Sequence, residues 1–229
     1  MARIYLPAAF FCLFITLFLH PAFGEDVKAD PKDQSDTALN ELLGNIEKKY
    51  GRRAFSVDFD QESTLKAMQI TDTATGKAFF QHPDKMRWEY ETPDPQIIIS
   101  NGEELFIYKP DENQVMTGKS PDFFRDGKGA SFLTDIASIR KKFSVKIQQT
   151  LPKNIHELKL VPLKANLDIA YVLLFVSGES FEIQEIKTCN SYGDITRIIF
   201  KNIVFKDHLG NDRFAFSIPP EADIISMDE

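Results

Sequence analysis

The sequence predicts an α+β fold: an antiparallel sheet of about ten or eleven strands, curved or closed into a barrel, with amphipathic helices laid against it. Three observations predict it. Strict alternation of apolar and charged residues marks half-buried strands, most plainly where Met86, Trp88 and Tyr90 alternate with Arg87, Glu89 and Glu91. Short β-branched or aromatic runs recur at regular spacing between turn signals, as in all-antiparallel sheets. Two stretches, around 39–50 and 131–143, carry apolar residues at helical spacing instead. At 229 residues the chain is long enough for one domain with a large core, and its 20 phenylalanines suit either a thick core or an apolar pocket.

Residues 1–24 have the form of a secretory signal: Arg3, an apolar run over 4–19, Pro21, and a small-residue site at Ala22-x-Gly24 with cleavage after Gly24. The run is short for a membrane span. Cys12 lies inside it, with no small-residue pair before it to suggest lipid attachment. Removing 1–24 takes one arginine and no acid, so the formal charge passes from −7 to about −8. Such a surface repels phosphates, which argues against nucleic acid and against resting on an anionic membrane. One cysteine, Cys189, then remains, too few for an internal disulfide.

Residues 25–36, with Pro31 and mostly charged side chains, form an expected flexible lead-in to a single domain over 37–229. Asp36 or Thr37 can cap a helix whose stripe is Leu39, Leu42, Leu43, Ile46 and Tyr50, ended by Gly51. Phe55, Val57 and Phe59 alternate with polar residues in a first strand that could run to Met68. Thr73 to Gly76 suggest a turn into a second strand over 77–81, and the Met86–Tyr90 strand follows. The Thr92-Pro93-Asp94-Pro95 break, a strand at 97–100, the Asn101-Gly102 turn and a strand at 105–109 complete an antiparallel meander closed by Pro110-Asp111. Residues 118–129 look loop-like, with Phe123 and Phe124 among them. Phe132, Leu133, Ile136, Ile139 and Phe143 then predict one helix over 131–143, its basic end at Arg140, Lys141 and Lys142. Strands are expected at 144–149, 155–161, 169–176, 181–187, 195–205 and 213–218.

The ordered set Pro83, Arg87, Trp88, Tyr90, Pro93, Asp94, Asn101, Gly102, Phe106, Tyr108, Pro110, Gln114 and Val115 resembles the periplasmic outer-membrane lipoprotein carrier family, LolA. So does the ending Phe214, Phe216, Pro219, Pro220 and Asp223, and the resemblance spans about residue 36 to the C-terminus. It implies an incomplete, unclosed barrel with helices across its open concave side. The implied function is that of a monomeric periplasmic carrier, not an enzyme. Such a carrier takes acylated lipoproteins from an inner-membrane ABC-type release complex towards an outer-membrane lipoprotein acceptor, with no cofactor and no metal. Family members commonly place a basic residue, often arginine, before the proline that opens the Arg-Trp strand, where it helps hold the lid closed. Here that position is His82, which has one neutral donor in place of a guanidinium fork. The expectation is a weaker or pH-sensitive lid latch, the alternative a strand-edge residue. Arg87, by alternation, faces away from the cavity.

Little in the residues themselves looks catalytic, and spacing alone leaves a site assembled by the fold open. His82, His156 and His208 lack metal-ligand spacing, and there is no nucleophile elbow, phosphate-cradling glycine loop or Cys-x-x-Cys. Periodicity leaves a filled interior and an apolar cavity equally open; the resemblance implies the cavity. Its expected lining is Leu42, Val57, Phe59, Met86, Trp88, Tyr90, Phe106 or Ile107, Tyr108, Phe132 and Ile136. At about 0.8 kcal/mol per methylene, the some forty methylenes of a triacyl anchor represent roughly 30 kcal/mol, so such a carrier must be loaded by an energy-driven partner. The alternatives are a related carrier of another lipid or apolar small molecule and, from a different class, a periplasmic hydrolase of apolar substrates.

Overall fold

The structure, a computed structural model, describes residues 31–51, 53–121, 132–134, 136–165 and 167–227. Helix α1 (Pro31–Tyr50) precedes six strands: β1 (Ala54–Leu65), β2 (Ile70–Gln81), β3 (Lys85–Thr92), β4 (Gln96–Asn101), β5 (Glu104–Lys109) and β6 (Gln114–Lys119). A crossover segment holds a 3₁₀ turn, Ile136–Ser138, and the short helix α2, Ile139–Lys142. Then come β7 (Phe143–Leu151), β8 (Ile155–Pro162), β9 (Tyr171–Ser177), β10 (Ile183–Cys189), β11 (Ile195–Lys206) and β12 (Asp223–Ser226). All twelve form one open sheet in the order β12-β6-β5-β4-β3-β2-β1-β11-β10-β9-β8-β7. The unclosed barrel implied above is therefore present, with twelve strands rather than ten or eleven.

Two meanders, β1–β6 and β7–β11, are each built from strands that pair with their sequence neighbours. Antiparallel β1 and β11 join them along the middle, Phe59 opposite Phe200 and Ser63 opposite Thr196. Asn202, at φ 51°, opens a bulge in that seam, and its amide donates to Asp58 at 2.7 Å. Because β6 ends near one edge and β7 forms the other, the chain between them must travel the width of the sheet. Its residues 132–134 and 136–142 lie on the inward face, beside α1.

Several elements differ from the sequence expectation. α1 begins at Pro31, upstream of the cap expected at Asp36 or Thr37, because proline suits a first helical turn whose N–H has no partner anyway. Part of the lead-in is thus helical. Thr73 to Gly76 lie within β2, and the turn falls at 66–69 instead, so β1 stops at Leu65. Residues 131–143 are not one helix: Phe132 and Leu133 sit in a 3₁₀ turn, followed by Ile136–Ser138 and α2. Three residues per 3₁₀ turn put Leu133, Ile136 and Ile139 on one face without a continuous α-helix. The signal sequence, Phe123 and Phe124 lie outside the described residues.

The expected strand at 213–218 is absent; a 3₁₀ turn, Asn211–Phe214, and extended chain take its place. This segment covers the outward face of the first meander. Leu209 and Phe214 bury against Ala54 and Phe79, and Phe216 lies 5.3 Å from Phe106 and 5.7 Å from Tyr108, ring to ring. Arg87 does face outward, but it is tied internally, to Glu89 at 2.5 Å and to the carbonyl of Arg213 at 3.5 Å. β12 then pairs with β6, the sheet's parallel pair.

On the outward face of the second meander, Arg197 donates twice to Glu185, at 2.9 Å each, and Lys187 lies 3.2 Å from it. Burial alone would raise this carboxyl; the two cations outweigh it and hold its pKa below the ordinary 4.5. A lowered folded pKa contributes stability that is present above the unfolded value and lost as pH falls through the folded one. Glu185→Gln is therefore expected to flatten the acid side of the stability profile between about pH 5 and about pH 3 in denaturant melts. An unchanged acid limb would show that the triad contributes nothing.

Candidate functional site

The inward face of the sheet is an aromatic floor. Phe55 stacks on Phe80 at 4.7 Å, Phe80 meets Trp88 edge-on at 5.4 Å, and Phe59 sits 4.9 Å from Trp88 and 5.1 Å from Tyr90. β1 and β3 are not neighbours, so Phe59 can touch Trp88 and Tyr90 only across β2. There the chain places Gly76 and Ala78, in register with Phe59 and Val57 on one side and with Tyr90 and Trp88 on the other. A Cβ at Gly76 would stand 2.9 Å from the Phe59 ring and 2.0 Å from the Glu89 carbonyl oxygen. Small residues in the middle strand make a trough that the flanking rings fill.

Two separate pieces cover this floor. α1 contributes Leu42, Leu43, Ile46 and Tyr50, and the crossover contributes Phe132, Leu133, Ile136 and Ile139. Leu42, Val57, Phe59, Met86, Trp88, Phe132 and Ile136, read from the sequence as lining, meet in one core and are each 1–6 % exposed. The floor is thus packed against its cover. Two hollows bounded by described residues, of about 520 and 350 Å³, lie on the outward face and share Arg197 and Ile199. Tyr90 also faces inward, its hydroxyl donating to Gln61 at 3.0 Å, and burial pushes its pKa up to about 12.

Phe106 and Tyr108 are corrections. Cross-strand pairs share a face. Ile98, opposite Trp88, pairs with Ile107, whereas Phe106 pairs with Ile99 and Tyr108 with Ile97. Ile107 therefore faces inward, and Phe106 and Tyr108 face outward under Phe216. Sequence reasoning also missed Phe55, Phe80 and Phe200 as floor residues, although the same alternation that marked Phe59 was available for Phe55.

Polar ties join the two pieces of the cover to each other and to the sheet. Arg140 of α2 donates to Glu47 at 2.8 Å and, on α1, to the Asn40 side chain at 2.7 Å and carbonyl at 3.1 Å, joining the two pieces. His82, in the β2–β3 turn, donates from Nδ1 to the carbonyl oxygen of Thr134 at 3.0 Å, and the Thr134 hydroxyl lies 3.4 Å from Asp84. Lys49 reaches Glu182 at 2.9 Å, and the Tyr50 hydroxyl accepts from the Ile183 N–H at 2.8 Å. Burial raises the Tyr50 pKa, against the lowering effect of that N–H. The half-exposed ion pairs among these contribute about 0–1 kcal/mol each, and the neutral hydrogen bonds about 0.5–1.5, so apolar contact holds the cover and the ties orient it. Among the described residues, no group of three His, Cys, Asp or Glu could hold a metal ion.

Residues 51–217 match the sequence model of a family described as "Outer membrane lipoprotein carrier protein LolA". The outer-membrane lipoprotein carrier protein of Nitrosospira multiformis is 29% identical over 174 residues, covering 76% of this chain and 83% of its own length. That of Pseudomonas paraeruginosa is 26% identical over 157 residues, covering 69% and 73%. Among solved structures, a conserved protein from Thermus thermophilus superposes with a TM-score of 0.54 at 10% identity, over 82% of this chain and 99% of that one. At that identity the likeness shows the fold alone.

Gly76→Val is expected to destabilise the protein by about 1–3 kcal/mol, since its side chain must displace backbone on one side and the Phe59 ring on the other. The midpoint of urea unfolding reads this out, and an unshifted midpoint would mean the floor can repack.

Proposed function

The chain belongs to the outer membrane lipoprotein carrier family, LolA, and from that premise we propose that it carries acylated lipoproteins through the periplasm, shielding their acyl chains on the aromatic floor. One observation carries the reading beyond membership: the floor is covered by pieces that contribute no strand to the sheet. α1 and the crossover can lift while all eleven neighbouring strand pairs in the sheet order stay intact.

The magnitudes agree with exchange. Leu42, Leu43, Ile46, Phe132, Leu133, Ile136 and Ile139 are the cover's buried aliphatic and phenyl side chains. At about 1.5–3 kcal/mol each, exposing them costs on the order of 10–20 kcal/mol. Acyl chains worth roughly 30 kcal/mol can replace them, so the packed floor is the closed, unloaded state of a site that opens to its guest. The guest must come from an energy-driven release complex in the inner membrane and pass to an acceptor at the outer membrane. Residues 1–24 would direct export and be removed. The role is binding and transfer, without catalysis.

His82 fits the latch role that the resemblance implies. Nδ1 donates to Thr134 in the neutral tautomer that carries its proton there and also in the charged ring, so acid does not break this bond. His82→Ala is expected to speed uptake of a hydrocarbon fluorophore several-fold, the effect of removing one hydrogen bond worth about 0.5–1.5 kcal/mol. Uptake at the wild-type rate would reduce His82 to a strand-edge residue.

The carrier reading itself is tested on spheroplasts that hold a labelled outer-membrane lipoprotein. Added protein is expected to release it into the medium as a soluble one-to-one complex, whose native mass includes the three acyl chains. Lipoprotein that stays with the membrane, or a complex whose mass shows a free lipid instead, would refute the assignment.

A further inference from the structure

Beyond the aromatic floor, towards the β1–β2 and β10–β11 turns, the inward face changes character. Phe59 lies opposite Phe200; two residues on, Gln61 lies opposite Ile198, which pairs with Ile186. Two further on, Ser63, Thr196 and Thr188 stand directly opposite one another across β1, β11 and β10. Such pairs place Cβ atoms about 4.5–5.5 Å apart, so three hydroxyls form one row across the sheet. All three are half-buried. Gln61 links the row to the floor, donating to Ser63 at 3.2 Å and accepting from the Tyr90 hydroxyl at 3.0 Å.

We infer that the row Ser63–Thr196–Thr188, with Gln61, seats the ester and amide carbonyls of the acylated cysteine while its chains run inward over Phe59 and Trp88. This rests on the carrier reading and gives the guest a direction. The chemistry is specific. Ester and amide carbonyls are neutral acceptors that must be satisfied where the chains leave water, and hydroxyls can rotate to donate to them. A charged row would carry a desolvation cost that a neutral carbonyl cannot offset. General exposure of these strand ends does not explain the row. On the outward face at the same level, Glu62, Arg197 and Lys187 stand opposite one another. The same three strands therefore carry charge outside and hydroxyls inside.

The test compares two probes on the purified protein: a tripalmitoylated cysteine lipopeptide, and diphenylhexatriene, a hydrocarbon with no carbonyl. In the variant combining Ser63→Ala, Thr188→Val and Thr196→Val, lipopeptide affinity is expected to fall about tenfold, with diphenylhexatriene affinity unchanged. Thr188→Ser with Thr196→Ser keeps the hydroxyls and should keep wild-type affinity for both. Lipopeptide affinity within about twofold of wild type in the triple variant, or parallel loss of both probes, would overturn the inference. Wild-type protein that binds neither probe would overturn the carrier reading, and this inference with it.

Discussion

The chain must travel from one edge of an open sheet to the other between β6 and β7, and the rest of the molecule follows from that constraint. The first meander ends beside β12; the second begins at the far edge. Phe132, Leu133, Ile136 and Ile139 of that connection cannot remain in solvent, so they lie on the inward face and become half of the cover. α1 supplies the other half because it leads directly into β1, at the centre of the sheet. The outward face of the first meander receives the chain's last segment instead, through Leu209, Phe214 and Phe216.

The strand pattern was largely legible in the sequence because a half-buried strand writes its faces in a period of two. Met86, Trp88 and Tyr90 against Arg87 and Glu89 gave β3, its inward face and the outward course of Arg87 without ambiguity. The same rule fails where both faces are covered. β5 reads Leu105, Phe106, Ile107, Tyr108, a continuous apolar run with no polar partner to mark the outside. Phe106 or Ile107, and with it the place of Tyr108, is a choice the pattern cannot make. The residue that decides it is Phe216, more than a hundred positions away and expected in a strand of its own.

Helical spacing misled for a related reason. Apolar residues at 132, 133, 136, 139 and 143 satisfy a 3.6-residue period and, through Leu133, Ile136 and Ile139, a period of three equally well. In a segment that must reach across a sheet, the looser path of successive 3₁₀ turns covers more distance per residue than one helix, about 2.0 Å against 1.5 Å. Tertiary reach therefore overrode local propensity. Gly76 was misjudged the other way: read as part of a turn, it lies within β2 because its missing Cβ lets Phe59 approach Tyr90 across β2.

On the proposed carrier reading the cover must be stable without being permanent, and the distribution of forces here meets both demands. If ion pairs held it, opening would strand buried charges, and removing one partner of a buried pair costs several kcal/mol. The ion pairs present, Arg140–Glu47 and Lys49–Glu182, are instead half-exposed, so their groups return to water with little loss when the cover lifts, and the buried tie, Tyr50 to the Ile183 N–H, is between neutral groups. The remainder of the hold is non-directional apolar contact, which acyl chains can replace without matching any particular geometry. The bonds between neighbouring strands do not involve the cover. On the proposed carrier reading, such a floor suits apolar guests of varied shape, and selection among them falls where polarity returns, at the hydroxyl-bearing end of the floor.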